Sequence, residues 1–158
     1  GLGEVGLVIS IHIGAMYLPS LVTGVLVDRI GRTAMAVASG VTLLASGLLA
    51  AAAPGDSLTL ITLALALLGL GWNFGLISGT ALLVDRTHPD TRAKTQGLVD
   101  VLVALSGASG GALSGLVVAH GSYAALAYAG GFLSLLLIPV LFRSRRGRLE
   151  DERLSVGQ

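Results

Sequence analysis

Five apolar runs, each about 20 residues or longer, constrain this chain more than anything else in it. They cover about Val5–Val27, Ala34–Ala53, Leu58–Val84, Thr95–Ala119 and Tyr123–Phe142. A hydrocarbon core about 30 Å thick takes roughly 20 residues of α-helix at about 1.5 Å each. Runs this long, apolar on nearly every side, do not suit the half-wet helices of a soluble domain. The strict alternation that a membrane barrel needs is absent. The expected fold is therefore an all-α membrane protein with five transmembrane helices. Charged residues make up only 12% of the chain, against about 25% in soluble domains. The 23 glycines fit the same reading, because small residues let helices approach closely where lipid supplies no hydrophobic drive.

The connections are short. Pro54-Gly55-Asp56-Ser57 reads as a turn in which Asp56 or Ser57 caps the next helix. His88-Pro89-Asp90-Thr91 separates the third run from the fourth, and His120-Gly121-Ser122 the fourth from the fifth. Pro19 and Pro139 fall inside spans and should bend them. The ten basic residues then sort without exception. Arg29 and Arg32 lie in the first connection, and Arg86, Arg92 and Lys94 around the third. Arg143, Arg145, Arg146, Arg148 and Arg153 lie in the tail. The second and fourth connections have none. Lys and Arg in alternate connections mark the cytoplasmic side. This gives a multi-pass protein of the plasma (inner) membrane, with residues 1–142 as a helical bundle and 143–158 as a polar cytoplasmic tail.

Gly1 would lie on the far side. An odd number of spans beginning there, on a residue other than Met, leads us to expect a piece of a longer chain. No basic segment precedes the first run, so no signal peptide is expected in these residues. With no cysteine, disulfides and Cys-based metal sites are excluded. No phosphate-cradling Gly loop with Lys-Ser/Thr is present, so nothing points to ATP drive, and no cofactor or metal is expected. The basic residues follow topology without an aromatic platform, so no nucleic-acid partner is expected.

The stretch Gly24-Val25-Leu26-Val27-Asp28-Arg29-Ile30-Gly31-Arg32 reads as a tight charged turn between the first two spans. Its charges hold it in water or headgroups, since each would cost several kcal/mol in hydrocarbon, roughly. The pattern Gly-x-Leu-x-Asp-Arg-x-Gly-Arg resembles the loop signature of the major facilitator superfamily (MFS). Gly24, Leu26, Asp28, Arg29, Gly31 and Arg32 match it, and Thr33 departs where the family usually has Arg or Lys. The resemblance implies two six-helix bundles, with the signature after the second helix of each. The five spans then correspond to helices two to six of one bundle, a partial six-helix bundle lacking its N-terminal partner. The fourth helix of the first bundle usually carries an intramembrane Arg. Leu58–Val84 has none, and a short polar tail follows the last span. Both favour the second bundle over the first. The resemblance also implies that the signature Asp pairs with loop Arg residues as a latch at the cytoplasmic gate. Gly24, Asp28, Arg29, Gly31 and Arg32 are then the gating loop. Plain topology signalling by the same charges is the alternative.

Polar residues within the spans are few: His12, Ser20 and Thr23 in the first, Asn73 beside Trp72 in the third, and Gln96 and Asp100 in the fourth. The second and fifth spans lack any His, Asn, Gln or charged residue, so the first, third and fourth are read as facing a cavity. In the resembled family the equivalents of these three spans line the central cavity. His12, about 10 Å from the external end, is a proton or substrate-anion candidate, or a neutral His bonded between helices. Asn73, near mid-span, is a substrate candidate or an interhelical hydrogen bond. Trp72 would stack on a substrate ring or simply pack. Gly71, Gly75 and Gly79 form a stripe that another helix can approach, and Gly107, Gly111 and Gly115 another. Asp100, with Gln96 one turn below, is either a coupling-proton site or part of a gate-side ion pair with Arg29, Arg92 or Lys94.

One enzyme reading arises. Gly107-Ala108-Ser109-Gly110 resembles the nucleophile motif of rhomboid intramembrane proteases. Its serine needs a His base within hydrogen-bond reach, yet His120 lies 11 residues further along one helix, about 16 Å away. The chain is read as no enzyme. The function expected is a secondary permease of the MFS type moving a small solute by alternating access, coupled to protons. A non-transporting membrane subunit or a truncated remnant is the alternative.

Overall fold

The structure, a computed structural model, describes residues 1–136 and 139. Among these it is all helical: α1 (Leu2–Tyr17), α2 (Ser20–Ile30), α3 (Arg32–Ala52), α4 (Leu58–Arg86), α5 (Pro89–His120) and α6 (Tyr123–Ser134). Four stretches are long and apolar enough to cross a bilayer: Leu2–Ile30, Arg32–Ala52, Leu58–Arg86 and Pro89–His120. α6 begins the fifth. The end of that span, the bend expected around Pro139 and the tail 143–158 lie outside the described residues.

Local chemistry sets the helix ends. Pro19 interrupts the first span, because its ring has no N–H for Ala15 O and crowds that carbonyl. Ser57 accepts from Leu60 N at 3.4 Å and Ser122 from Ala125 N at 3.1 Å, each capping the helix that follows. Pro89 opens α5, where a missing N–H leaves nothing unsatisfied.

The turn read from Gly24 to Arg32 is largely helix. α2 runs to Ile30, so Gly24, Asp28 and Arg29 are helical, and Gly31 alone joins α2 to α3. Gly31 takes φ +103°, which L side chains rarely adopt. The charged residues need water, not a loop, and a helix end that reaches the aqueous face supplies it. α4 likewise carries Asp85 and Arg86 on its last turn.

The interior mixes small apolar and polar residues, and much of the outer surface is apolar. Thr23, Ser39, Asn73 and Ser78 are the most deeply buried side chains, while Leu and Val residues such as Leu21, Leu98 and Leu133 are exposed. α4 is central, packed on α1, α2 and α3, and α3 in turn packs on α6. Glycines set these distances. A Cβ on Gly69 would lie 2.5 Å from His12 O, and one on Gly47 would lie 2.7 Å from Ala127 O. Serine hydroxyls tie the same helices together. Ser39 donates to Gly71 O at 2.7 Å, Ser46 to Ala64 O at 2.7 Å and Ser134 to Gly40 O at 3.0 Å. Such bonds replace the hydrophobic drive that lipid removes. α5 has no buried residue and makes few contacts with α4 and α6.

Candidate functional site

Two features lie toward the ends of α3 and α4 that carry the basic residues, the second of them reaching to mid-span. The first is an ion pair. Arg32, at the start of α3, places Nε 2.7 Å from Asp85 Oδ2 at the end of α4. That Nε is shielded from solvent but its N–H is not aimed well enough to count as a hydrogen bond. The contact is therefore chiefly electrostatic. Asp85 was not among the residues singled out from the sequence. The signal was available: it lies beside Arg86, at the same membrane face as Arg32, with the opposite charge. The partner expected for the signature Asp is not seen. Asp28 and Arg29 are exposed and enter no ion pair among the described residues.

The second feature is a cleft of about 310 Å³ between α3, α4 and α5. Trp72, Gln96 and Asp100, all candidates from the sequence, line it together with Ser39 and Thr80. Gly71, Gly75 and Gly79 form its α4 wall. Gly71 and Gly75 are crowded by Leu43 and Ser39, whereas a Cβ on Gly79 would meet open space. The cleft is largely apolar, with a carboxylate and an amide on the α5 side. Asp100 forms no ion pair among the described residues. Arg92, one of its expected partners, instead donates from Nη2 to Val84 O at 3.4 Å, near the negative end of α4. Next to the cleft, a second opening of about 430 Å³ shares Leu76 and Thr80 with it and reaches Arg32 and Asp85. Ion pair and cleft are thus neighbours along one face of α4. α3 also lines the cleft, although its span lacks the polar types that marked the other walls; its Ser39 is the contributing hydroxyl.

His12 and Asn73 are elsewhere, between α4 and the broken first span. His12 Nδ1 is 2.7 Å from Leu65 O, so Nδ1 carries the proton in this geometry. Asn73 is 1% exposed. Its Nδ2 donates to Met16 O at 2.8 Å and to Ser20 Oγ at 2.9 Å, and its Oδ1 accepts from Thr23 Oγ1 at 2.5 Å. Gly107, Gly111 and Gly115 of α5 face open space, with no atom near enough to meet a Cβ. The close packing expected along that stripe is not made within the described residues. No group of three His, Cys, Asp or Glu could hold a metal ion among the described residues.

Apolar outer surfaces, interhelical clasps by Gly and Ser, and helices long enough to cross a bilayer define a multi-pass helical membrane protein. More narrowly, the chain belongs to the Major Facilitator Superfamily, whose family model matches residues 1–157. It is 73% identical over 144 residues to an uncharacterized MFS-type transporter of Bacillus subtilis, YdeG, covering 91% of this chain and 34% of that protein. A second B. subtilis protein, the uncharacterized MFS-type transporter YddS, is 70% identical over 141 residues, covering 89% of this chain and 32% of that protein. The riboflavin transporter RfnT of Brucella anthropi is 38% identical over 92 residues, or 58% of this chain and 23% of that protein. The chain thus spans about a third of the length of the two B. subtilis relatives. No solved structure matches it.

Proposed function

We propose that this chain forms part of a secondary active permease that moves a small solute by alternating access, coupled to protons. The observation that carries the reading is the cleft between α3, α4 and α5, with Asp100 and Gln96 on one wall and Trp72 on another. A carboxylate within a membrane-spanning helix is expensive unless it faces water, a partner or a cargo. Asp100 is exposed and has no charged partner among the described residues, so a proton or a solute group can reach it. Two of the helices that line the cleft, α3 and α4, meet at the Arg32–Asp85 pair, which we assign as a gate contact beside Asp28 and Arg29. In this assignment the basic side is cytoplasmic, as the distribution of Lys and Arg indicates. The remainder of the permease supplies the opposing bundle. Trp72 offers a flat face to a planar ring. Together with the similarity to a riboflavin transporter, that makes riboflavin the first solute to test.

The test uses the protein as encoded by its complete gene, reconstituted in vesicles. A Thr80→Cys variant, freed of other cysteines, is labelled with an impermeant maleimide from each side in turn. Alternating access predicts that an imposed proton gradient shifts the labelling rate from one side to the other. Rates indifferent to the gradient would count against it. Asp100→Asn should abolish gradient-driven accumulation of riboflavin while sparing exchange of labelled for unlabelled solute. Full accumulation in that variant would remove Asp100 from the coupling role. No riboflavin movement in the parent protein would remove the flavin assignment alone.

A further inference from the structure

We infer that Asn73 is a clasp across a hinge in the first membrane span, and so a positioning residue for the gate. The argument begins at Pro19. Its ring leaves Ala15 O without a backbone donor and separates α1 from α2. Backbone bonds flank the break, from Leu18 N to Gly14 O at 2.8 Å and from Thr23 N to Pro19 O at 2.8 Å. Between them, side chains serve two of the carbonyls. Ser20 Oγ donates to Tyr17 O at 2.6 Å, and Asn73 Nδ2 donates to Met16 O at 2.8 Å.

Asn73 holds both arms at once. Met16 belongs to α1, while Ser20 and Thr23 belong to α2, and one amide bonds all three. A carboxamide has two N–H donors and one acceptor oxygen, and all of these functions are engaged here. Thr23 is 1% exposed, as is Asn73, so water does not compete for these bonds. A buried amide that merely joined two continuous helices would need one partner on its neighbour. This one spans the single place where the backbone of that neighbour is open. Irregular backbone at membrane depth persists only where other groups serve it; here Asn73 serves Met16 O and Ser20 serves Tyr17 O, next to the Ala15 carbonyl that Pro19 leaves open.

The consequence follows from what α2 carries. Its last turn bears Asp28 and Arg29, and Gly31 alone ties it to Arg32 and the Asp85 contact. A change of angle at the break swings the charged end of α2 relative to α4. Asn73, itself on α4, fixes that angle. The gating consequence rests on the transport reading; the clasp does not.

The experiment is a double-mutant cycle read by distance. Nitroxide labels are placed through Ile30→Cys on the free end of α2 and Leu68→Cys on α4, both exposed positions. The host is the protein as encoded by its complete gene, freed of other cysteines, in lipid nanodiscs. In Asn73→Ala the distance distribution should broaden about twofold or more, because an arm without its bonds opens locally at little cost. In Pro19→Ala a donor returns at position 19 and the helix closes through the break. There, adding Asn73→Ala should change the width little. Thr23→Val keeps the Met16 bond and loosens only the α2 arm, giving an intermediate width even if Asn73→Ala fails to fold. Unchanged widths in both Asn73→Ala and Thr23→Val would overturn the clasp. So would equal broadening with and without Pro19, which would make Asn73 an ordinary packing residue. None of these distances needs a solute, so a parent protein that moves no solute while its variants broaden as expected would count against the transport reading alone.

Discussion

Gly69 should be the least replaceable glycine on α4, and the reason can be worked from distances. A Cβ there would meet His12 O at 2.5 Å, Ala15 Cβ at 3.1 Å and Met16 N at 3.2 Å. Two of these are backbone atoms of α1, so no rotamer change relieves the clash. Ordinary contact begins near 3.4 Å, so α1 must retreat by about 0.9 Å at His12. Two hydrogen bonds lie one turn to either side on the same α4 face, His12 to Leu65 O at 2.7 Å and Asn73 to Met16 O at 2.8 Å. The same retreat carries both beyond hydrogen-bonding distance. Interhelical hydrogen bonds in membranes average about 0.6 kcal/mol, and overpacking costs roughly 1–3 kcal/mol. Alanine's better helix propensity returns at most about 1 kcal/mol. Gly69→Ala should therefore lose about 1–3 kcal/mol. Gly79→Ala, with open space around its Cβ, should lose nothing and gain up to about 1 kcal/mol. Reversible unfolding by SDS titration in mixed micelles measures both. If Gly69→Ala proves as stable as Gly79→Ala, the close α1–α4 packing described here is wrong.

Arg32 sits at the N-terminal end of α3 and Asp85 at the C-terminal end of α4, so each charge opposes the dipole of its own helix. The exchanged pair Arg32→Asp with Asp85→Arg should be at least as stable as the parent in the SDS titration, gaining up to about 1 kcal/mol, while either single change costs about as much. Gly31→Ala should cost about 1–3 kcal/mol through backbone strain alone, since nothing lies within 4 Å of its Cβ position. Gly31→Asn should fare no better in the same titration, because ψ 145° lies outside the left-handed helical region that Asn tolerates.

The spans were legible because their length is a property of the chain alone, and the break at Pro19 because a missing N–H has the same effect in any helix. Helix ends were harder. Asp28 and Arg29 looked like loop because their charge forbids hydrocarbon, yet a helix that reaches water accommodates them equally well. Partners were harder still. Spacing put Gln96 and Asp100 on one face of α5 but could not say that Trp72 of α4 would share their cleft. Glycine periodicity marked Gly71, Gly75 and Gly79 as one stripe, and α3 closes on it at Gly71 and Gly75, but the close approach of the α1 backbone at Gly69, off that stripe, was not marked. The Arg32–Asp85 pair was legible in charge and membrane face but ran against helix-end preferences. Rules that place acids at helix N-termini and bases at C-termini argue against both of its members. Stability alone would favour the reverse placement, so the observed order needs another source of selection. The proposed gating role would be such a source, because a strong pair would hold a gate shut. The exchanged pair separates the two demands: greater stability with slower transport would mean that the weakness of this contact serves its function.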